Sequence, residues 1–271
     1  MTKKDKYILA VGDSFTDRDF KSVEYPDYDC SYKKWPELLA NRLQTNVINL
    51  GRCGVDNDYI LNSAYDHILD NHEKIELVVV GMTEGWRFTV YNSFLINPIA
   101  LVKENISIRK WHDYENAVEP LSKFIMVDRL LSPTDWARYA QTMFSHFISH
   151  IIRIQKLCKT FGLKLIVTPL LGPISYGAMW NIAKDYGITI PYDSRQLAQE
   201  FSKTVGFYDV DPATVLGWPF YPHLGGHFLT EGSGGFDFAT MKVGPNDGHP
   251  NKLGHEHIAN GIYNFYGKAY L

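Results

Sequence analysis

Cysteine is scarce in this chain: Cys30, Cys53 and Cys158 are the only three in 271 residues. An odd number at irregular spacing excludes a disulfide framework and a cysteine-built zinc site. It fits a reduced intracellular protein with buried thiols. Long apolar runs are also missing. Nothing approaches the roughly 18 consecutive apolar residues of a membrane-crossing helix, so no membrane partner is expected. The basic start MTKKDK is followed by a short apolar stretch, Tyr7–Val11, too short for a secretory signal. The expected location is cytoplasmic, or outside the cell by release without a signal peptide. Charge of one sign is lacking as well. Lys plus Arg number 27 and Asp plus Glu 30, a net charge of −3. That excludes bulk attraction to nucleic-acid phosphates, and no nucleic-acid partner is expected.

What is present is the balance of a globular domain, 45% hydrophobic and 21% charged residues. The apolar stretch Tyr7–Val11 is continuous and breaks at Gly12-Asp13-Ser14, as a strand buried on both faces would. Residues 15–32 are polar and aromatic and read as a loop. Residues 35–43 have helical spacing, with Pro36 suited to a first turn. Residues 46–50 form a second strand ending at Gly51. Asp56 or Asn57 caps a helix carrying Ile60, Leu61, Ala64 and Ile68. Residues 76–80 are a third strand.

Strand, helix, strand, helix, strand implies a parallel sheet with helices on both faces. A long helix over 134–161, with Gly162 as its cap, and a fourth strand over 163–170 extend it. A helix is expected over 194–203, a short fifth strand over 207–210 and a last helix over 251–266. Residues 211–248 read as a long irregular segment. The expectation is therefore one α/β domain over 1–271, with insertions at about 85–133 and 173–244.

Chemistry gathers where these strands end. Ligands of parallel sheets bind beyond the carboxyl ends of the strands. Ser14 follows the first strand, and a serine becomes a nucleophile when a base takes its proton. His249 can be that base, in the turn Asn246-Asp247-Gly248-His249-Pro250. The imidazole in turn needs an acceptor to fix its tautomer. Asp247 or Asn246 can serve, and Asp247 is favoured because a carboxylate also stabilises the imidazolium. Oxyanion donors are available from the Ser14 backbone, from Gly54 after the second strand and from Thr83 after the third. Asp13, Asn57, Arg87 and Trp218 are candidate substrate-binding residues. His255 and His257 lie two apart on the last helix and cannot face one point, so no metal site is expected. Gly232-Ser233-Gly234-Gly235 does not open a helix after a strand, which counts against a phosphate loop.

Four segments, in this order, resemble the sequence blocks of the SGNH (GDSL-type) hydrolases. Val11-Gly12-Asp13-Ser14 matches the nucleophile block in full, and Gly54 in Asn49-Leu50-Gly51-Arg52-Cys53-Gly54 matches the oxyanion glycine. In Gly81-Met82-Thr83-Glu84, Thr83 stands where the family has an oxyanion asparagine. Asp247-Gly248-His249-Pro250 stands against the usual Asp-x-x-His-Pro, with the acid one residue closer to the histidine. The resemblance spans about residues 6–170 and 245–267.

It implies a flavodoxin-like three-layer α/β/α sandwich and a serine esterase, with Ser14, His249 and Asp247 as catalytic residues and Ser14, Gly54 and Thr83 as the oxyanion hole. No cofactor is implied. A small-molecule or carbohydrate ester is the expected partner, with O-acetyl or other short acyl groups favoured. The alternative is a weakly active or inactive carbohydrate-binding or structural module on the same fold. The oligomeric state is not legible.

Overall fold

A computed structural model of the chain describes residues 6–85, 88–90, 94–96, 133–173, 194–220, 237 and 239–271. In chain order the elements are β1 (Tyr7–Val11), α1 (Trp35–Leu43), β2 (Asn46–Asn49), α2 (Asn57–Asn71), β3 (Ile75–Met82), β4 (Phe88–Val90) and β5 (Phe94–Ile96). They continue with α3 (Pro133–Thr160), β6 (Lys164–Pro169), α4 (Ser194–Ser202), β7 (Lys242–Gly244), β8 (Asp247–Pro250) and α5 (Lys252–Tyr270).

The main sheet is parallel, in the order β2-β1-β3-β6. Side chains alternate across it, because successive Cβ atoms of a strand point to opposite faces. Leu9 and Val11 of β1 join Val78 and Val80 of β3 under α2, α3 and α4, where Ile60, Phe147 and Phe201 complete one core cluster. Ile8 and Ala10 join Val79 and Ile166 on the other face under α1 and α5, with Trp35, Leu39, Ile258 and Ile262. Helices thus cover both faces, giving the three-layer α/β/α arrangement.

Local signals set the helix starts. Asp56 caps α2 by accepting Tyr59 N–H at 2.9 Å, and Asn251 caps α5 by accepting Gly254 N–H at 3.1 Å. Pro36 sits in the first turn of α1, and Gln44 ends that helix in the left-handed region at φ 51°.

Two expectations need correction. No strand forms over 207–210. Phe207–Asp209 is a 3-10 turn, and the sheet is extended past β6 only by a single parallel bridge between Val167 and Val215. The described main sheet therefore has four strands rather than about five. Phe207 and Val210 are buried as a strand's apolar residues would be, but they are buried in the core cluster under α3 and α4 rather than in the sheet.

The segment 211–248 is also not irregular throughout. Lys242–Gly244 and Asp247–Pro250 pair as an antiparallel hairpin. Part of the expected second insertion belongs to the core, since Leu197, Phe201, Phe207, Val210, Val215 and Phe220 all lie in one cluster. Of the first insertion, β4 and β5 pair antiparallel, and the remainder lies outside the described residues apart from Gly85 and the start of α3 at Pro133. Among the described residues, no helix is long and apolar enough to cross a membrane.

Candidate active site

The turn that carries Ser14 begins at the carboxyl end of β1, between β2 and β3, where the strand order reverses direction. This is the place where open parallel sheets hold their ligands. Thr16 and Asp17 N–H close the turn on Asp13 O at 2.9 and 3.0 Å, and the Asp13 carboxylate accepts Phe15 N–H at 3.0 Å. Ser14 N–H is not among the turn's donors.

Glycine is required beside this turn. A Cβ on Gly12 would stand 2.1 Å from Thr16 Oγ1, and one on Gly51 would stand 2.5 Å from the Thr16 carbonyl carbon. The loop after β2 is tied to the same turn, because Cys53 N–H donates to Asp17 Oδ2 at 2.9 Å. Gly54 follows at φ +77°, a conformation suited to glycine.

The hairpin brings the histidine from the far end of the chain. His249 Nε2 lies 2.9 Å from Ser14 Oγ, and His249 Nδ1 lies 2.5 Å from Asp247 Oδ1. With Nδ1–H donating to the carboxylate, Nε2 is the acceptor for the Ser14 hydroxyl. The same Asp247 oxygen also accepts His249 N–H at 2.9 Å.

The two-residue spacing has a simple cause. Asp247 and His249 lie on a strand, where positions i and i+2 share a face. Gly248 faces away, with nothing within 4 Å of a Cβ built on it. Asn246 lies outside the strand, is exposed, and donates its backbone N–H to Tyr25 Oη at 3.3 Å. The carboxylate, rather than the neighbouring amide, therefore meets the imidazole.

Asp247 is 5% exposed. Burial alone would raise its pKa. Hydrogen bonds from the His249 ring, the Ser22 hydroxyl and His249 N–H outweigh burial and hold the carboxyl at about 2. The imidazole is also held sterically. Phe15 and Phe20 stack on it, with ring centroids at 4.9 and 4.2 Å and planes 25° and 29° from parallel.

Thr83 is fully buried at the end of β3. Its backbone N–H is taken by Asn57 Oδ1 at 2.9 Å, while Asn57 Nδ2 donates to Thr83 O at 3.0 Å. Among the described residues its hydroxyl has no partner. Any hydrogen bond that Thr83 offers a ligand must come from that hydroxyl.

The candidate substrate-binding residues fall elsewhere. Asp13 is fully buried and holds the Ser14 turn. Asn57 is buried and braces Thr83. Trp218 packs on Phe207 at 4.9 Å and on Phe220 at 5.2 Å, in an aromatic cluster over the α3 and α4 face. Arg87 lies outside the described residues, as do residues 221–236 after Trp218. His255 is buried, and its Nδ1 accepts Trp35 N–H at 3.2 Å.

Sequence reasoning missed the side chains of residues 15–32 that hold the hairpin: Phe15, Phe20, Ser22, Tyr25 and Tyr32. The available signal was the density of aromatics just after the serine.

No family model matches the chain, and no curated protein matches it either. Solved structures do. One is a lipolytic protein of the G-D-S-L family from Desulfitobacterium hafniense, at 14% identity and TM-score 0.41, covering 96% of this chain and 99% of that one. The acetylxylan esterase Axe2 from Geobacillus stearothermophilus is also 14% identical, with TM-score 0.41 and coverage of 97% and 94%. A lipase/acylhydrolase from Enterococcus faecalis has 14% identity, TM-score 0.38 and coverage of 97% and 96%. Superpositions this loose carry no functional weight, so the chemistry below is built from the chain's own residues.

Proposed function

We propose that the protein is a serine ester hydrolase working through an acyl-enzyme. The observation that carries this reading is the continuous chain of hydrogen bonds from Ser14 Oγ through His249 to Asp247 at the mouth of the sheet. His249 Nε2 takes the hydroxyl proton as Ser14 Oγ attacks the ester carbonyl. The C–O bond to the alcohol breaks, and the imidazolium returns the proton to the departing alkoxide. Water then attacks the acyl-serine, giving up its proton to His249; the Oγ–acyl bond breaks, and the imidazolium returns that proton to Ser14 Oγ as the acid leaves. Asp247 stays ionised throughout and holds the ring. Ser14 N–H, Gly54 N–H and the Thr83 hydroxyl are the donors for the oxyanion.

A polar alcohol portion, such as a sugar carrying short acyl groups, suits the surroundings better than a lipid. An open cleft of about 570 Å³ starts at Asp17 and Asp19, after the Ser14 turn, and runs along α2 past Arg52, Tyr59 and Asp66 to His67 and Asn71; Ser14 and His249 do not line it, so only an alcohol portion extending away from the serine would reach it. The carboxylates of Asp17, Asp19 and Asp66 can accept hydrogen bonds from hydroxyl groups, while Arg52 lies over the Tyr59 ring and donates to its hydroxyl at 3.0 Å.

The test is hydrolysis of p-nitrophenyl acetate by the wild type and by Ser14→Ala, with fluorophosphonate labelling in parallel. Loss of turnover and of the adduct together in Ser14→Ala is the expected result. Equal rates for the two proteins would reject the enzyme in favour of a binding module on the same fold. Faster turnover of an acetylated xylo-oligosaccharide than of p-nitrophenyl palmitate is expected. The opposite order would remove the sugar assignment alone.

A further inference from the structure

Asp247 presents its two oxygens to different partners. Oδ1 receives both hydrogen bonds from His249, through the ring and through the backbone. Oδ2 points to the other side, where the Ser22 hydroxyl donates to it at 2.5 Å. Both residues are buried.

The direction of the Ser22 proton is not free. Ser22 Oγ accepts Tyr25 N–H at 2.9 Å, which occupies its acceptor side and leaves its own hydrogen for the carboxylate. Tyr25 is itself anchored to the hairpin. Its Oη accepts Asn246 N–H, and its ring lies where a Cβ on Gly244 would be, 2.4 Å from Cε2. Further along the same segment, Tyr32 Oη donates to Pro250 O at 3.0 Å. Residues 20–32 thus grip the hairpin on both sides of Asp247.

We infer that Ser22 is a positioning residue for the reaction proposed above: its hydroxyl fixes the outer oxygen of Asp247, so that the inner oxygen stays aligned with His249 Nδ1. The inference rests on the esterase reading for its kinetic consequence and on geometry alone for the contact.

A carboxylate has a soft torsion about its last bond, and it swings unless both oxygens are held. With the acid only two residues before the histidine, Oδ1 must serve the ring and the backbone N–H together, so a small rotation weakens both bonds at once. Ser22 removes that rotation. It also satisfies an oxygen that would otherwise be a buried anionic acceptor without a donor. The hydroxyl reaches no reacting atom. It acts through Asp247, and Asp247 acts through His249.

The experiment compares Ser22→Ala with Ser22→Thr, which keeps the hydroxyl, in the full-length protein. Hydrolysis of p-nitrophenyl acetate is measured beside the carbon-13 titration of the Asp247 carboxyl. Ser22→Ala is expected to lower kcat by about 10- to 100-fold with KM within about twofold, the size expected for losing a charge-assisted hydrogen bond. Ser22→Thr is expected to recover most of kcat. In Ser22→Ala the Asp247 titration is expected to move up from its low position toward the ordinary aspartate value, while Ser22→Thr leaves it in place.

A purely structural role would move thermal stability without moving that titration or splitting kcat from KM. Wild-type kcat in a folded Ser22→Ala protein overturns the inference, and so does an unmoved Asp247 titration. If Ser22→Ala fails to fold, Ser22→Cys replaces it, keeping the size while donating weakly. If Ser14→Ala turns over substrate as fast as the wild type, the esterase reading fails. The Asp247 titration then still decides whether Ser22 holds the carboxylate.

Discussion

Ser14 and His249 stand 2.9 Å apart, yet different kinds of structure hold them. The serine turn grows directly out of β1, in the middle of a four-stranded sheet. Backbone hydrogen bonds close it, and glycines at positions 12 and 51 let it pack flush on its neighbours. The histidine belongs to a two-stranded hairpin that shares no ladder with the main sheet. Side chains hold that hairpin. Asn251 Nδ2 donates to Thr240 O and Lys242 O, and Ser22, Tyr25 and Tyr32 bind it from the opposite side.

The lesson is that the nucleophile's position is set by the core, while the base's position is set by a loop. Damage on the two sides should therefore look different. Changes at the glycines that let the turn pack should destabilise the protein, whereas changes at the hairpin should uncouple the acid, base and nucleophile in a molecule that still folds.

The largest expected effect is chemical. Ser14→Ala should lower kcat for p-nitrophenyl acetate by at least about a thousandfold at nearly unchanged Tm, because the hydroxyl contributes little to the core. Asp247→Asn comes next. An amide can offer its nitrogen to the ring and impose the wrong tautomer, so a loss on the order of 10²–10⁴ in kcat is expected, again with the fold intact by circular dichroism.

Gly12→Ala tests the other side of the contrast. Its Cβ would meet Thr16 Oγ1 at 2.1 Å, and overpacking of this kind costs about 1–3 kcal/mol or more. A Tm lower by several degrees, with reduced soluble yield, is the expected reading by thermal melt. Gly248→Ala sharpens the comparison from the hairpin side. Nothing lies within 4 Å of its new Cβ, so stability should stay within about 0.5 kcal/mol of wild type.

Acid sensitivity separates the two regions as well. His255 lies behind the site under α1, and burial, with Lys34 and His249 adding to it, lowers its pKa to about 3. The unfolded chain therefore binds a proton that the folded one refuses. That contribution to stability is present above about pH 6.5 and is lost as the pH falls from there toward 3.

Asp247 is depressed from 3.8 to about 2. Its contribution is present above 3.8 and is lost only as the pH falls through 2. Denaturant melts across pH 7 to 4 should thus show declining stability that His255→Gln reduces, with a remaining slope from His67 and His150, whose burial also lowers their pKa, while the Asp247 contact leaves that window unchanged. A slope unchanged by His255→Gln would contradict this assignment.

Most of the scaffold could be read from residue order. The unbroken apolar stretch Tyr7–Val11, the cap at Asp56 or Asn57 and the stripe Ile60, Leu61, Ala64, Ile68 specify their elements locally, through period and capping. The expectation failed where burial came from elsewhere. Phe207 and Val210 are apolar and bound the short segment expected as a strand, yet they are buried against α3 and α4 while Val215 takes the place beside Val167. Trp218 is a candidate substrate-binding residue by sequence, yet its ring partners are the core phenylalanines Phe207 and Phe220. An aromatic ring does not announce which way it faces.

The sequence by itself determined that Ser14 would sit at the end of a buried strand and that a histidine with an acid beside it would precede the last helix, because both follow from patterns a few residues long. Only the tertiary structure decided that Asp247 rather than Asn246 meets the imidazole, that Asn57 occupies the Thr83 backbone, and that Ser22 closes the carboxylate's free side. Those choices depend on the facing of a two-stranded hairpin and on contacts spanning 26 to 225 residues. Local propensity carries no information about separations of that length, since only the packed sheet and the loop that grips the hairpin bring such residues within hydrogen-bond reach.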